Sequence, residues 1–157
     1  QDAAGHQLEC LGILPFHTVH PGTRAKRLIG DIVVGIENPT LLGSYPFLDA
    51  PPEAKLLIGF ENHGGRTTID DPDSAIGRTV RGFGNNSADG TEGYLYLNTL
   101  GTYLHGPALP RNPMLADFLL AKALSVKYNE RVVLVPLNDD LENENRKYLL
   151  SQLYVKT

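Results

Sequence analysis

Asn112-Pro113-Met114-Leu115-Ala116-Asp117-Phe118-Leu119-Leu120-Ala121-Lys122-Ala123 is the stretch at which the character of this 157-residue chain changes. A helix-capping residue is followed by proline at the first helical position, and Leu115, Phe118, Leu119, Ala123 and Val126 then recur at helical spacing. The spacing predicts a helix over Met114 to Tyr128, with Asn129 able to end it. Beyond it, Val132 to Pro136 reads as a short extended piece, and Asp139 to Val155 as a second, more polar helix with Leu141, Tyr148, Leu149 and Leu153 on one side.

Upstream of Asn112 the pattern is that of short strands. From Arg27 to Glu37, Leu28, Ile29, Ile32, Val33, Val34 and Ile36 make a largely β-branched run interrupted by Gly30 and Asp31, which predicts a strand. Asn38 to Lys55 carries Pro39, Pro46, Pro51 and Pro52 and reads as a surface loop between strands. Leu56 to Glu61 is the next strand, Thr67 to Asp73 a turn region, and Arg78 to Phe83 a further short strand. The Gly, Asn and Asp density from Gly82 to Gly93 marks a hairpin or longer loop, after which Gly93 to Leu97 and Thr99 to His105 read as strands. Strands first and helices last argue for α/β or α+β rather than a closed all-β barrel.

Bulk properties narrow the function. The length supports one domain with a real core, and 41% hydrophobic with 20% charged residues is ordinary for a globular protein. A net charge of −4 offers no electrostatic footprint for nucleic acid or an anionic membrane surface. The longest apolar runs are far too short to span a bilayer, so membrane insertion is not expected. One cysteine, Cys10, excludes an internal disulfide and fits a reducing, cytoplasmic setting. Gln1 to His6 has neither a start methionine nor the layout of a signal peptide, and reads as a chain entered partway.

Two stretches carry chemistry. Gly101-Thr102-Tyr103-Leu104-His105-Gly106-Pro107 puts a histidine where a strand-like run meets a turn. At the carboxyl end of a strand an imidazole serves as a general base, or is simply hydrogen-bonded at the turn; the motif alone leaves both readings open. Gly59-Phe60-Glu61-Asn62-His63-Gly64-Gly65-Arg66-Thr67 ends another apolar run in a polar tip, where glycines let backbone come close to a ligand or to other chain. His63 there reads as structural, and Arg66 as an exposed ion-pair partner or a carboxylate anchor. Arg24, Lys26 and Arg27 read as a solvated face, with Arg27 best placed to hold an anionic group by paired bonds. His6, His17 and His20 lack partners at ligand spacing, so no metal site is assigned. Cys10 is flanked by Leu8 and Gly12, with Pro15 close behind, which does not make a strand-to-helix nucleophile elbow; it reads as an ordinary thiol.

Taken together, the segment from Gly59 to Thr67 and the run Tyr103-Leu104-His105-Gly106-Pro107 resemble the cobyric-acid-synthase-like class I glutamine amidotransferases, and within them the GatD type of glutaminase subunit. Arg27-Leu28-Ile29-Gly30-Asp31-Ile32 looks like the segment in which that type carries a substrate-binding arginine. Leu8-Glu9-Cys10-Leu11-Gly12-Ile13-Leu14 resembles the stretch after the nucleophile helix, where the family usually has glycine at the place of Cys10. The resemblance runs from about Asp2 to the helix ending near Tyr128.

It implies the carboxyl-terminal part of a flavodoxin-like three-layer α/β domain, residues 1–157 forming a single incomplete domain whose nucleophile elbow lies upstream of Gln1. It implies His105 as the catalytic histidine and Arg27 as a glutamine-contacting residue; Glu61, Asn62 and His63 would lie near the site without an assigned role. Many class I members place a glutamate two residues after the histidine, whereas Pro107 stands there here, which points to a dyad. The implied activity is hydrolysis of L-glutamine to glutamate and ammonia. No cofactor is implied in this subunit; the ammonia would pass to a MurT-like ligase partner that uses ATP to amidate D-glutamate of lipid II in peptidoglycan synthesis. The 157 residues alone, lacking the nucleophile, are expected to be inactive. Two other readings stand beside this one: the amidotransferase domain of a cobyric-acid-type corrinoid synthase, and a non-catalytic binding module in which His105 and His63 are structural.

Overall fold

The computed structural model describes residues 1–154. Eight strands come first: β1 (Phe16–Val19), β2 (Leu28–Ile36), β3 (Leu56–His63), β4 (Arg66–Ile69), β5 (Gly77–Arg81), β6 (Thr91–Glu92), β7 (Tyr94–Tyr96) and β8 (Thr99–Gly101). Between β2 and β3 lies a one-turn helix, α1 (Pro39–Leu42); after β8 follow α2 (Ala108–Arg111), α3 (Pro113–Tyr128) and α4 (Asp140–Tyr154).

The architecture is mixed α/β, and every strand pairing is antiparallel. The main sheet has the order β3-β2-β5-β6, β1 pairs with β4, and β7 with β8. Parallel neighbours need crossovers of a dozen or more residues, usually helical, and the long helices of this chain come only after its last strand. The bond network between β2 and β3 therefore runs straight through, from Leu28 opposite His63 to Gly35 opposite Leu56.

One side of this sheet carries the core. Ile32, Val34 and Ile36 of β2, Leu57 of β3, Ile76, Leu95 and Leu104 pack with Leu115 and Phe118 of α3. Leu41 and Phe47 complete the cluster, both fully buried. The segment 38–55 is thus not the surface loop its prolines suggest. Asn38 caps α1 by accepting from the Thr40 and Leu41 amides, its amide group donates to the Asp73 and Ala75 carbonyls, and the folded-back chain delivers two large apolar side chains to the sheet. Each such side chain is worth about 2 kcal/mol on burial, enough to hold a short irregular segment in place.

Other sequence readings shift as well. The turn expected over Thr67 to Asp73 begins as β4, because Phe16 to Val19 supplies an unforeseen partner strand, Thr18 opposite Thr67. The helix α3 is present, ending at Asn129 in the left-handed conformation with φ 53° and ψ 38°. Its expected apolar face holds only at the start, for Leu115 and Phe118 are buried while Ala123 and Val126 are exposed. Val132 to Pro136 forms no strand. The helix expected over Asp139 to Val155 is α4, Val155 lying outside the described residues, and its expected face holds in part: Leu149 and Leu153 are half-buried, whereas Leu141 and Tyr148 are exposed.

Two cations help to dock α4: Arg81 Nη1 donates to the Leu153 carbonyl at 2.8 Å, and Arg146 reaches out from the helix itself. Arg146, 8% exposed, donates to the Arg111 carbonyl (3.2 Å), Asn112 Oδ1 (3.0 Å) and the Glu53 carbonyl (2.8 Å), and also to the Leu56 carbonyl. Burial pushes its affinity for the proton down, and the ring of oxygens compensates the guanidinium where water does not reach.

Asn112 is the second surprise. Its side chain does not cap α3; it lies flat against the outer edge of β3, accepting from the Ile58 amide and donating to the Ile58 carbonyl, both at 2.8 Å, as a strand neighbour would. Asn112→Ala leaves both Ile58 groups and one Arg146 nitrogen without that partner, so a loss of about 3 kcal/mol in a urea titration is expected. Arg146→Ala is expected to free α4 for limited proteolysis, whereas Leu141→Ala changes neither cleavage nor midpoint.

Candidate active site

β3 is the edge strand of the main sheet, and its outward-facing backbone groups recur every second residue. Ile58 is taken by Asn112. At Phe60 the carbonyl accepts the His105 amide at 2.6 Å, an isolated antiparallel bridge. At Asn62 the carbonyl accepts Arg27 Nη2 at 2.7 Å, while Asn62 Oδ1 accepts Arg27 Nε at 2.8 Å. The two residues singled out from the sequence as catalytic and substrate-binding are thus anchored two residues apart on one strand, about 7 Å along its axis.

His105 is exposed, and its orientation is set locally. Nδ1 lies 2.5 Å from the Tyr103 carbonyl, which can only accept, so Nδ1 carries the hydrogen and the neutral ring keeps its lone pair on Nε2. Among the described residues Nε2 makes no hydrogen bond, and Leu104 before it is buried against β3. Gly59 makes that possible: a Cβ there would collide with Leu104 Cδ2 and crowd its Cα.

Arg27 keeps the other end of its fork exposed. Nη1 has no hydrogen bond among the described residues and lies beside Gly64, where a Cβ would come within 3.5 Å of it and within 3.2 Å of His20 Nε2. The glycine pair thus admits side chains of this same chain: Arg27 and His20 at Gly64, Thr18 and the Tyr103 hydroxyl at Gly65.

The remaining candidates are structural. His63 is buried, its Nδ1 bonded to the Gly65 carbonyl at 3.0 Å and its ring stacked on Tyr103 at 3.6 Å between centroids. Its Nε2 faces Glu61 Oε2 at 3.5 Å. Glu61 is fully buried and accepts from the Phe83 and Gly84 amides, which shapes the turn after β5. Arg66 neither pairs with a carboxylate nor stands free; it donates to the carbonyls of Gly64, Gly65 and Lys26. Cys10 is exposed in the segment 7–14, its thiol 3.7 Å from the Leu8 carbonyl.

Three residues to which the sequence assigned no role support the site. Asn62 aims Arg27. Tyr103 stacks on His63, bonds Thr67 through its hydroxyl at 2.7 Å, and offers its carbonyl to His105. Glu92, fully buried, accepts from the Thr102 hydroxyl (2.7 Å) and the Tyr103 amide (2.8 Å). No periodic signal marks Glu92, since it lies in the glycine-rich stretch that reads as loop.

The sequence matches the CobB/CobQ-like glutamine amidotransferase domain over residues 1–113. The chain belongs to that family. Among its curated relatives is the lipid II isoglutaminyl synthase (glutamine-hydrolyzing) subunit GatD of Staphylococcus aureus, 45% identical over 123 residues, covering 78% of this chain and 42% of the relative. The protein of the same name from Streptococcus pneumoniae is 36% identical over 143 residues, covering 91% of this chain and 49% of the relative. The chain spans about half the length of these relatives. Among the described residues no helix is long and apolar enough to cross a membrane.

Glu92 also imposes a pH dependence on this amidotransferase-family fold. Burial raises its carboxyl above the usual 4.5, against the Thr102 and Tyr103 hydrogen bonds and with some help from the Glu61 charge. The fold holds the proton where the unfolded chain has released it, so stability falls as pH rises from about 4.5 to the raised value and is level beyond it. Glu92→Gln removes the ionisation, so its stability relative to the unsubstituted protein is expected to grow as pH rises above about 4.5 in denaturant midpoints.

Proposed function

We propose that this chain is the carboxyl-terminal portion of a GatD-type glutaminase subunit, hydrolysing L-glutamine to L-glutamate and ammonia. The observation that carries the reading is the shared edge of β3, which holds His105, with its Nε2 lone pair outward, two residues from the Asn62-anchored fork of Arg27. A base and a carboxylate-binding cation at that spacing fit an amino acid whose α-carboxylate and side-chain amide lie a few bonds apart. The antiparallel strands would form one end of a flavodoxin-like three-layer domain.

In this reading a thiol supplied by residues beyond this chain gives its proton to His105 Nε2, and the thiolate attacks the carboxamide carbon of glutamine. The tetrahedral intermediate expels ammonia as the imidazolium returns the proton to the leaving nitrogen. Water, deprotonated by the same Nε2, then displaces glutamate from the thioester, and the thiol is regenerated. Arg27 Nη1 would meet the glutamine α-carboxylate, a planar fork being suited to that partner. Cys10 is not the nucleophile, because its exposed segment contacts no part of the β3 edge among the pairings and hydrogen bonds described.

The ammonia would travel to a MurT-type ligase forming a heterodimer with this subunit, and ATP would be consumed there to activate D-glutamate of lipid II in the cytoplasm. That both curated relatives carry the lipid II synthase name favours this acceptor over a corrinoid.

In the full-length subunit with its ligase, His105→Ala is expected to lower kcat for glutamate release by roughly 10²–10⁴. Arg27→Ala should mainly raise KM for glutamine, about tenfold or more, without rescue by lysine. Unchanged kcat in His105→Ala would refute the assignment.

A further inference from the structure

Among the described residues His105 has no side-chain partner to orient it; its ring is steered by a main-chain carbonyl in a three-residue turn, so whatever fixes that turn bears on the ring. One buried oxygen gathers the polar groups at the head of that turn. Glu92 Oε1 accepts from the Thr102 hydroxyl at 2.7 Å and from the Tyr103 amide at 2.8 Å. The Thr102 oxygen in turn accepts the Leu104 amide at 3.0 Å. Thus the three residues before His105 are tied, directly or through one hydroxyl, to a single carboxyl oxygen.

That oxygen is itself fixed. Glu92 belongs to β6, opposite Gly77 of β5, and its carbonyl accepts the Ile76 amide at 3.0 Å. On its other side the Gly93 amide and carbonyl are held by the Asn85 side chain, at 3.0 and 3.1 Å. Glu92 is fully buried, and its second oxygen has no hydrogen-bond partner among the described residues. A buried carboxyl with one orphan oxygen is costly to keep, and leucine would fill the volume more cheaply if packing were the only demand.

We propose that Glu92 is a positioning residue for His105, its Oε1 locking the Thr102–Leu104 turn so that the Tyr103 carbonyl holds the imidazole in the Nδ1–H form with Nε2 facing substrate. The inference rests on His105 acting as the glutaminase base. Loss of the lock frees the turn to rotate, and a ring displaced by about 1 Å costs on the order of 10²-fold in rate at most, because the proton acceptor no longer meets the reacting atoms. Substrate binding at Arg27 and Asn62 does not pass through this turn, so KM is spared.

The test uses the full-length subunit in complex with its ligase, with glutamate release and ¹⁵N-histidine NMR as separate readouts. His105→Ala identifies the His105 signal and tests the catalytic reading on its own. Glu92→Ala removes the lock, Thr102→Val removes only the bridging hydroxyl, and Glu92→Gln keeps a carbonyl oxygen able to accept both hydrogens. Thr102→Val is expected to lower kcat about tenfold with KM within about twofold, and to convert His105 from one tautomer to a mixture. Glu92→Ala should do at least as much, and Glu92→Gln should recover kcat to within about threefold, with the Nδ1–H signal intact. If Glu92→Ala does not fold, Thr102→Val and Glu92→Gln carry the comparison. An unchanged tautomer and kcat in Thr102→Val, or Glu92→Gln as impaired as Glu92→Ala, overturns the proposal. Full activity in His105→Ala overturns the catalytic reading instead, while the tautomer signal still reports whether Glu92 governs the ring.

Discussion

The open edge of β3 is the constraint on which the rest of this structure depends. An edge strand presents a row of unpaired amides and carbonyls that must be covered. Here no further strand covers them within residues 1–154. Ile58 is met by the side chain of Asn112, Phe60 by the backbone of His105, and Asn62 by the guanidinium of Arg27. Three residues distant in sequence are brought into line because each answers the same demand for hydrogen bonds at a two-residue repeat.

The same demand orders the helices. Asn112 can lie along β3 only if α2 and α3 leave the strand at that point, and its Oδ1 is shared with Arg146, which draws in α4. The guanidinium then gathers carbonyls from the end of the 38–55 excursion, the start of β3 and the end of α2. A buried cation of this kind contributes through the oxygens that surround it, and beside the half-buried Leu149 and Leu153 it lets α4 leave Leu141 and Tyr148 in solvent.

Chemistry and support divide sharply among the polar residues of the site. His105 and Arg27 keep one nitrogen each outward, while Glu61, His63, Arg66 and Glu92 direct their hydrogen bonds inward, to backbone groups and, for Glu92, also to the Thr102 hydroxyl. Tyr103 joins the two sets, its ring packed on His63 and its carbonyl on His105. The glycines at 59, 64 and 65 are the places where these side chains approach the backbone, so the polar tip after β3 is shaped by self-contact.

The sequence by itself determined the longer elements: β-branched runs at Leu28–Ile36 and Leu56–His63 and apolar spacing at the start of α3 are local patterns, and local patterns report backbone propensity, whereas the strand expected over Thr99 to His105 ends at Gly101 and His105 is placed by its bridge to Phe60. It also carried Arg27, through likeness to a family segment. Only the tertiary structure decided that the strands run antiparallel, that Leu41 and Phe47 are core, that β1 exists as partner to β4, and that Asn112, Arg146 and Glu92 hold the fold through buried polar bonds. The reason is physical. Whether an Asn caps a helix or completes a strand edge, and whether a Glu faces water or a turn amide, depends on which unpaired groups arrive from elsewhere in the chain, and no periodicity records that.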